Sequence, residues 1–176
     1  MSAVDRPMIR QTLERLHPAS AVAELRILDA GRAGTVSGYF DDRDTMVDAA
    51  ARWSGKAPAV YVTLNPCAPA LLARAANRLK DRAKQTSSDA DIVQRRWLPL
   101  DFDPVRPAGI SSTDAEHAAA LQRAQDCRSW LQGLSWPAPI SADSGNGAHL
   151  LFRIDLPNDE ASRTLVKRCL EAVALY

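Results

Sequence analysis

Two acidic residues one apart, Asp101-Phe102-Asp103, end an apolar run that begins at Trp97. Side chains alternate along an extended strand, so both carboxylates project from one face and Phe102 from the other. Such a pair repels itself unless a cation lies between, and Mg2+ or Mn2+, hard ions that prefer oxygen, suit it. Ions held this way bridge nucleotide phosphates and activate an attacking hydroxyl. The plain alternative is a pair of solvated aspartates before the turn that Pro104 and Pro107 close. A second cluster, Ser144-Gly145-Asn146-Gly147-Ala148-His149, follows about forty residues later. Backbone N–H groups in a glycine-rich turn can cradle an anion, and glycine lets backbone approach a ligand closely. Ser144, Gly145 and Gly147 are the candidates for that cradle, and His149 can donate to a phosphate oxygen. A bare hairpin turn is the rival explanation.

Positive charge is concentrated locally. Between Arg74 and Arg96 there are seven Lys or Arg against three Asp. Arg74, Arg78 and Arg82 fall at i, i+4 and i+8, so on a helix they form a cationic stripe able to follow the phosphates of a DNA template. A solvated helix face explains the same spacing. Upstream of the acidic pair, strand parity places Arg95 on its face, provided Pro99 causes no bulge. Arg106 is a further candidate contact for a triphosphate.

The elements that must position these groups can be read from periodicity. Met8, Ile9, Leu13 and Leu16 predict a helix from Arg6 to Leu16, stopped by His17-Pro18. Ala23–Ala30 reads as a strand, a second short strand ends at Phe40, and Asp41 or Asp42 caps a helix to about Trp53. Ala59–Asn65 reads as a buried strand. The following helix is expected to begin at Pro66 or Pro69 and to carry Leu71, Leu72, Ala75, Ala76 and Leu79 on one face. The strand holding Asp101 comes next, then a helix with a capping box at Thr113 and Glu116 and a stripe of Ala120, Ala124, Cys127, Leu131 and Leu134. A hairpin around the glycine turn follows. Asn158 is the expected cap of a last helix with Leu165, Cys169 and Val173 inward.

Composition sets the frame. The chain has 176 residues, 46% hydrophobic and 24% charged, with 22 Lys and Arg against 21 Asp and Glu. That is an ordinary globular composition, large enough for a core without disulfides, and its net charge of +1 excludes a globally basic nucleic-acid binder. Cys67, Cys127 and Cys169 are scattered, with no CxxC pair, which argues against a zinc ribbon. Walker A, HExxH, GxSxG and GxGxxG are absent, which removes the commonest ATPase, zinc-protease, serine-hydrolase and dinucleotide-binding readings. No apolar run approaches a membrane span and the N-terminus lacks a signal-peptide core, so a cytoplasmic protein with no membrane partner is expected. The element order predicts a mixed α/β (α+β) fold, read as one domain over residues 1–176.

The order L-P-L-D-F-D-P-V-R-P, then S-G-N-G-A-H-L-L-F-R-I-D, resembles the archaeo-eukaryotic primase superfamily, in particular the primase-polymerase domains of phage and plasmid replication proteins. The likeness extends less specifically from Val60 onward. It implies that Asp101 and Asp103 hold catalytic Mg2+ or Mn2+ and that His149 contacts the phosphates of an incoming nucleotide. It further implies transfer of nucleotides from nucleoside triphosphates onto a primer directed by single-stranded DNA, in DNA replication of a mobile element, with a replicative helicase as a possible partner. The implied architecture is a two-lobed core with an RRM-like lobe and the site in the cleft between the lobes.

That superfamily carries a third motif, a hydrophobic residue followed by a metal-binding Asp, and here only Ile154-Asp155 has its form. His149 and Asp155 lie six residues apart on one expected strand, roughly 20 Å, too far to share a compact site. The expectation is therefore that the third motif is missing and that the second lobe is truncated at its C-terminus. Two readings from other classes stay open: a D-x-D glycosyltransferase using Mn2+ and a nucleotide sugar, and a non-catalytic nucleic-acid- or nucleotide-binding fragment. A polymerase with a Gly-Ser motif ahead of D-x-D is disfavoured, because here the glycine turn follows the acidic pair.

Overall fold

A computed structural model describes residues 4–107 and 109–175. Residues 1–3, Ala108 and Tyr176, to which the last helix was expected to run, lie outside them. The fold is mixed α+β, with two three-stranded antiparallel sheets and five helices among the described residues. The chain divides into two compact units, Met1–Arg95 and Arg96–Tyr176.

In the first unit, α1 (Arg6–Leu16) starts where the Asp5 carboxylate accepts from the Met8 N–H, with Pro7 in its first turn. Strand β1 (Ala23–Leu28) is central, with β2 (Val36–Phe40) on one side and β3 (Ala59–Val62) on the other, both antiparallel. Ala23, Leu25 and Ile27 point to one face and pack with Leu13 of α1 and Met46, Val47 and Ala50 of α2 (Arg43–Trp53), which Asp42 caps. The β1 residues of opposite parity, Glu24 and Arg26, point to the other face. Tyr39, Val22, Cys67 and Leu71 form a smaller core of this unit. Strand β3 lies at the sheet edge and is half-buried, with Tyr61 exposed, where a buried strand was expected.

The helix expected after Pro69 is not formed. One 3-10 turn (Pro69–Leu71) and the single turn α3 (Leu72–Ala75) end at Ala76, which is extended, and Asn77, whose φ is +48°. The chain then joins the open edge of β2. Asn77 N–H donates to the Tyr39 carbonyl, and Lys80 and Ser37 exchange both backbone hydrogen bonds. Asn77 Oδ1 accepts from the Asp41 and Asp42 N–H groups at 3.1 Å each. These sheet-edge bonds outweigh the helical pattern of the apolar residues, so the stripe of Arg74, Arg78 and Arg82 does not exist as a helix face. Gly38 permits the joining, because a Cβ there would stand 1.9 Å from the Arg78 carbonyl oxygen.

The second unit is a sheet in the order β4-β6-β5, from β4 (Gln94–Phe102), β5 (Ile140–Asp143) and β6 (Ala148–Pro157), with α4 (Asp114–Gly133) and α5 (Glu160–Ala174). Its elements run βαββα, with the last strand between the other two. Leu98, Leu100, Leu150 and Phe152 pack against Ala124, Cys127 and Leu131 of α4, with Val166, Cys169 and Val173 of α5 at the border. Strand β4 is an edge strand, which is why Pro99 can sit within it. The Thr113–Glu116 capping box forms as expected. Three details differ: Leu134 is exposed, α5 is capped by Asp159 where Asn158 was expected, and Val166 packs inward beside Cys169 and Val173 while Leu165 is exposed.

Candidate functional site

Alternation along β4 decides where the acidic pair points. Leu98, Leu100 and Phe102 belong to the helix-covered core, so Asp101 and, by continuation of the chain, Asp103 face the opposite side of the sheet. Both are solvent-accessible, their side chains 63% and 47% exposed. On β6 the core residues are Ala148, Leu150 and Phe152, which places His149 on the same open side. Its Nε2 lies 3.1 Å from Asp101 Oδ1.

The glycine turn joins β5 to β6 and sits directly on the end of β4. A Cβ on Gly147 would lie 2.1 Å from the Phe102 carbonyl oxygen and 2.6 Å from Asp103 Oδ1. Only glycine admits this approach. The turn before His149 and the acidic pair therefore meet at one end of the sheet.

Within the turn the N–H groups already have acceptors. Gly145 donates to Asp143 Oδ1 at 2.7 Å, Asn146 and Gly147 to Ser144 Oγ at 3.4 and 2.9 Å, and Ser144 to the Gly147 carbonyl at 3.0 Å. An anion cradled by the Ser144–Gly147 backbone would have to displace these bonds. The turn is also tied from outside. Asn146 Oδ1 accepts from the Ser112 N–H at 3.0 Å, and His117 Nε2 on α4 lies 2.8 Å from Asp143 Oδ1. The Gly145 N–H, and then His117, hold the Asp143 carboxyl below the usual carboxylate range. Sequence reasoning missed Ser112, His117 and Asp143, whose roles depend on contacts across 26 and 34 residues that no local spacing reveals.

The candidate arginines divide. Arg106 donates to Asp103 Oδ2 at 3.2 Å and to the Ile110 carbonyl at 2.7 Å, which places it at the acidic pair. Arg95 has the parity of Asp101 along β4, yet six residues of strand put it roughly 20 Å away. Arg74, Arg78 and Arg82 lie in the other unit, where Arg74 stacks over Tyr39 and donates to its hydroxyl. Asp155 is ion-paired with Arg96 at 3.6 Å and Arg153 at 2.5 Å and has a left-handed backbone, φ +52°. It stands six residues along β6 from His149, the distance that excluded it as a third ligand.

For a metal the donor set is oxygen-rich and small. Among the described residues no three His, Cys, Asp or Glu side chains are grouped closely enough to enclose an ion. Asp101 and Asp103 nonetheless fit Mg2+ or Mn2+ of the kind that binds through one or two carboxylates and completes its shell with water and substrate phosphates. Burial pushes the thiols of Cys67, Cys127 and Cys169 up, as expected of small packing residues without nucleophilic character. Among the described residues no helix is long and apolar enough to cross a membrane. Comparison with protein-family models, with curated proteins and with solved structures finds no match to this chain.

Proposed function

We propose that the second unit carries a nucleotidyltransferase site of the primase-polymerase kind, in which Asp101 and Asp103 hold a divalent cation together with a nucleoside triphosphate. The observation that carries this reading is the seating of Gly147 on Phe102 and Asp103, with His149 against Asp101. Two motifs about forty residues apart in sequence converge on one open face of one sheet, leaving both carboxylates accessible.

When bound, Mg2+ or Mn2+ would neutralise charge on the phosphates and favour ionisation of an attacking hydroxyl. The chain's own groups do the remainder. His149 can exchange its Asp101 contact for a phosphate oxygen, and Arg106 can turn from Asp103 toward the same anion as a cation takes its place. Gly147 keeps the turn close enough for His149 and the carboxylates to reach one triphosphate. Single-stranded DNA as template, a role in replication of a mobile element and a helicase partner extend this reading.

Titration of the protein with a deoxynucleoside triphosphate in Mn2+, followed by calorimetry, tests it, alongside extension of a primed template. Binding that requires Mn2+ and is lost in Asp101→Ala and Asp103→Ala is the expected result. Tighter binding of a nucleotide sugar than of the plain triphosphate would transfer the site to glycosyl transfer. Metal-independent binding unaffected by either substitution would overturn the assignment.

A further inference from the structure

Hydrogen bonds inside the glycine turn close its loop, and two more tie that loop to the start of α4. His117 Nε2 lies 2.8 Å from Asp143 Oδ1, the same oxygen that accepts from the Gly145 N–H at 2.7 Å. An ionised carboxylate only accepts, so the His117 ring donates through Nε2. Asn146 Oδ1 takes the second tie, from the Ser112 N–H at 3.0 Å. The helix gives His117 a fixed place. The Thr113–Glu116 capping box sets the first turn of α4, the His117 N–H donates to the Thr113 carbonyl at 2.9 Å, and Ala120, Ala124 and Cys127 are buried below.

This tie and the acidic site lie on opposite faces of one sheet. Asp143 pairs across the ladder with Ala148, which belongs to the helix-covered core, while Ala142 pairs with His149 on the open face. Cross-strand partners share a face, so His117 meets the turn from the helix side, away from Asp101 and His149. It is placed to hold the turn and not to touch a ligand. Asp143 ends β5 and Ala148 begins β6, so where the Asp143 carboxylate is held, the turn between them is held as well. Gly147 and His149 follow that turn, and Gly147 sits so tightly on Phe102 and Asp103 that small displacements alter the contact.

We propose that His117 is a positioning residue of the nucleotidyltransferase site: through Asp143 it keeps the glycine turn where His149 meets Asp101 and Gly147 meets Asp103. The proposal rests on the reading of Asp101 and Asp103 as the seat of a metal-bound triphosphate, and adds to it a residue on the other face of the sheet.

The protein without nucleotide gives the first readout. In amide and imidazole NMR spectra, His117→Leu should displace the Gly145 and Gly147 amides and the His149 ring, and His117→Gln, which keeps a side-chain donor, should return them toward their original positions. Calorimetric titration with a deoxynucleoside triphosphate in Mn2+ gives the second. His117→Leu weakens binding roughly three- to tenfold, the worth of one hydrogen bond, and His117→Gln recovers most of the loss. In an Asp143→Ala background His117→Leu adds nothing, because His117 acts through that carboxylate. Ala124→Gly, which weakens α4 away from the turn, separates position from stability: it lowers the urea midpoint and leaves the His149 ring and the triphosphate affinity unaltered. An unmoved His149 ring or undiminished binding in His117→Leu, an equal loss in His117→Gln, or an equal loss in Ala124→Gly would each overturn the proposal. Absence of metal-dependent binding in the unaltered protein overturns the reading of the acidic pair instead, and the His149 spectra alone then decide whether His117 sets the turn.

Discussion

Gly147 concentrates the geometry of the acidic site in one missing side chain. A methyl group there would press on the Phe102 carbonyl oxygen at 2.1 Å, and backbone cannot yield as a flexible side-chain tip can. Gly147→Ala is therefore expected to cost about 1–3 kcal/mol of stability, read from the urea midpoint, and to weaken triphosphate binding by moving His149 off the carboxylates. An unchanged midpoint with unchanged nucleotide titration would refute the close approach. Glu24 is the corresponding residue of the first unit, buried completely beneath Tyr39 and Ser37. Burial alone raises its pKa, but donors from Arg26, Ser37 and Ser87 together outweigh that and hold it below the ordinary 4.5. A depressed folded-state pKa means stability present above the unfolded value and lost as pH falls through the folded one. Glu24→Gln should thus cost roughly 2 kcal/mol at neutral pH, and its gap from the unaltered protein should shrink below about pH 4.5. A gap constant from neutrality to acid would show that ionisation is not what matters there. Asp101, Asp103 and the glycine turn were legible because their chemistry resides in adjacent residues. Glu24 was not, since Ser37 and Ser87 approach it from 13 and 63 residues away.

Elements were legible where one local signal set each boundary. Asp5, Asp42 and Thr113 cap their helices through side chains that accept a backbone N–H three residues on, a pattern visible in the sequence. The stretch after Pro69 failed because its helical apolar spacing competes with an open sheet edge, and that edge is a tertiary fact. Asn77 was the available signal, being tolerant of the left-handed conformation it adopts and able to accept hydrogen bonds at the start of α2. Two substitutions separate these roles. Asn77→Gly keeps the conformation and loses the acceptor, at about 1 kcal/mol, while Asn77→Ala loses both, at about 2–3 kcal/mol. Denaturant unfolding of the two variants measures the difference. Equal losses would mean that the left-handed backbone contributes nothing, and a gain of helical circular dichroism in Asn77→Ala would mean that this residue alone prevents the helix.

At the scale of the whole chain, composition predicts one domain and the family resemblance implies two lobes within it, and the chain divides into two compact units, each with its own core. Composition does not reveal such a division, because both units draw on the same Ala, Leu and Val and the boundary falls within β4, at Arg95 and Arg96, with no linker of Gly, Pro or Ser to mark it. The cores nonetheless differ in construction. The first unit buries a sheet on both faces, with Leu25 and Ile27 under helices and Glu24 on the reverse. The second packs its helices on the face of Leu98, Leu100, Leu150 and Phe152 and leaves Asp101 and His149 accessible on the other, where Trp97 is buried. Phe152, 1% exposed and edge-on to Trp136 at 5.0 Å, lies at the centre of that single layer. Phe152→Ala removes the ring from a close-packed core, so a loss of about 3–5 kcal/mol is expected. Native-state hydrogen exchange should then show protection falling across β4, β6, α4 and α5 while the amides of β1 and β2 keep theirs, since unfolding free energies follow cooperative units. Uniform loss of protection along the chain would mean that the two cores unfold as one, and the division into units would carry no energetic weight.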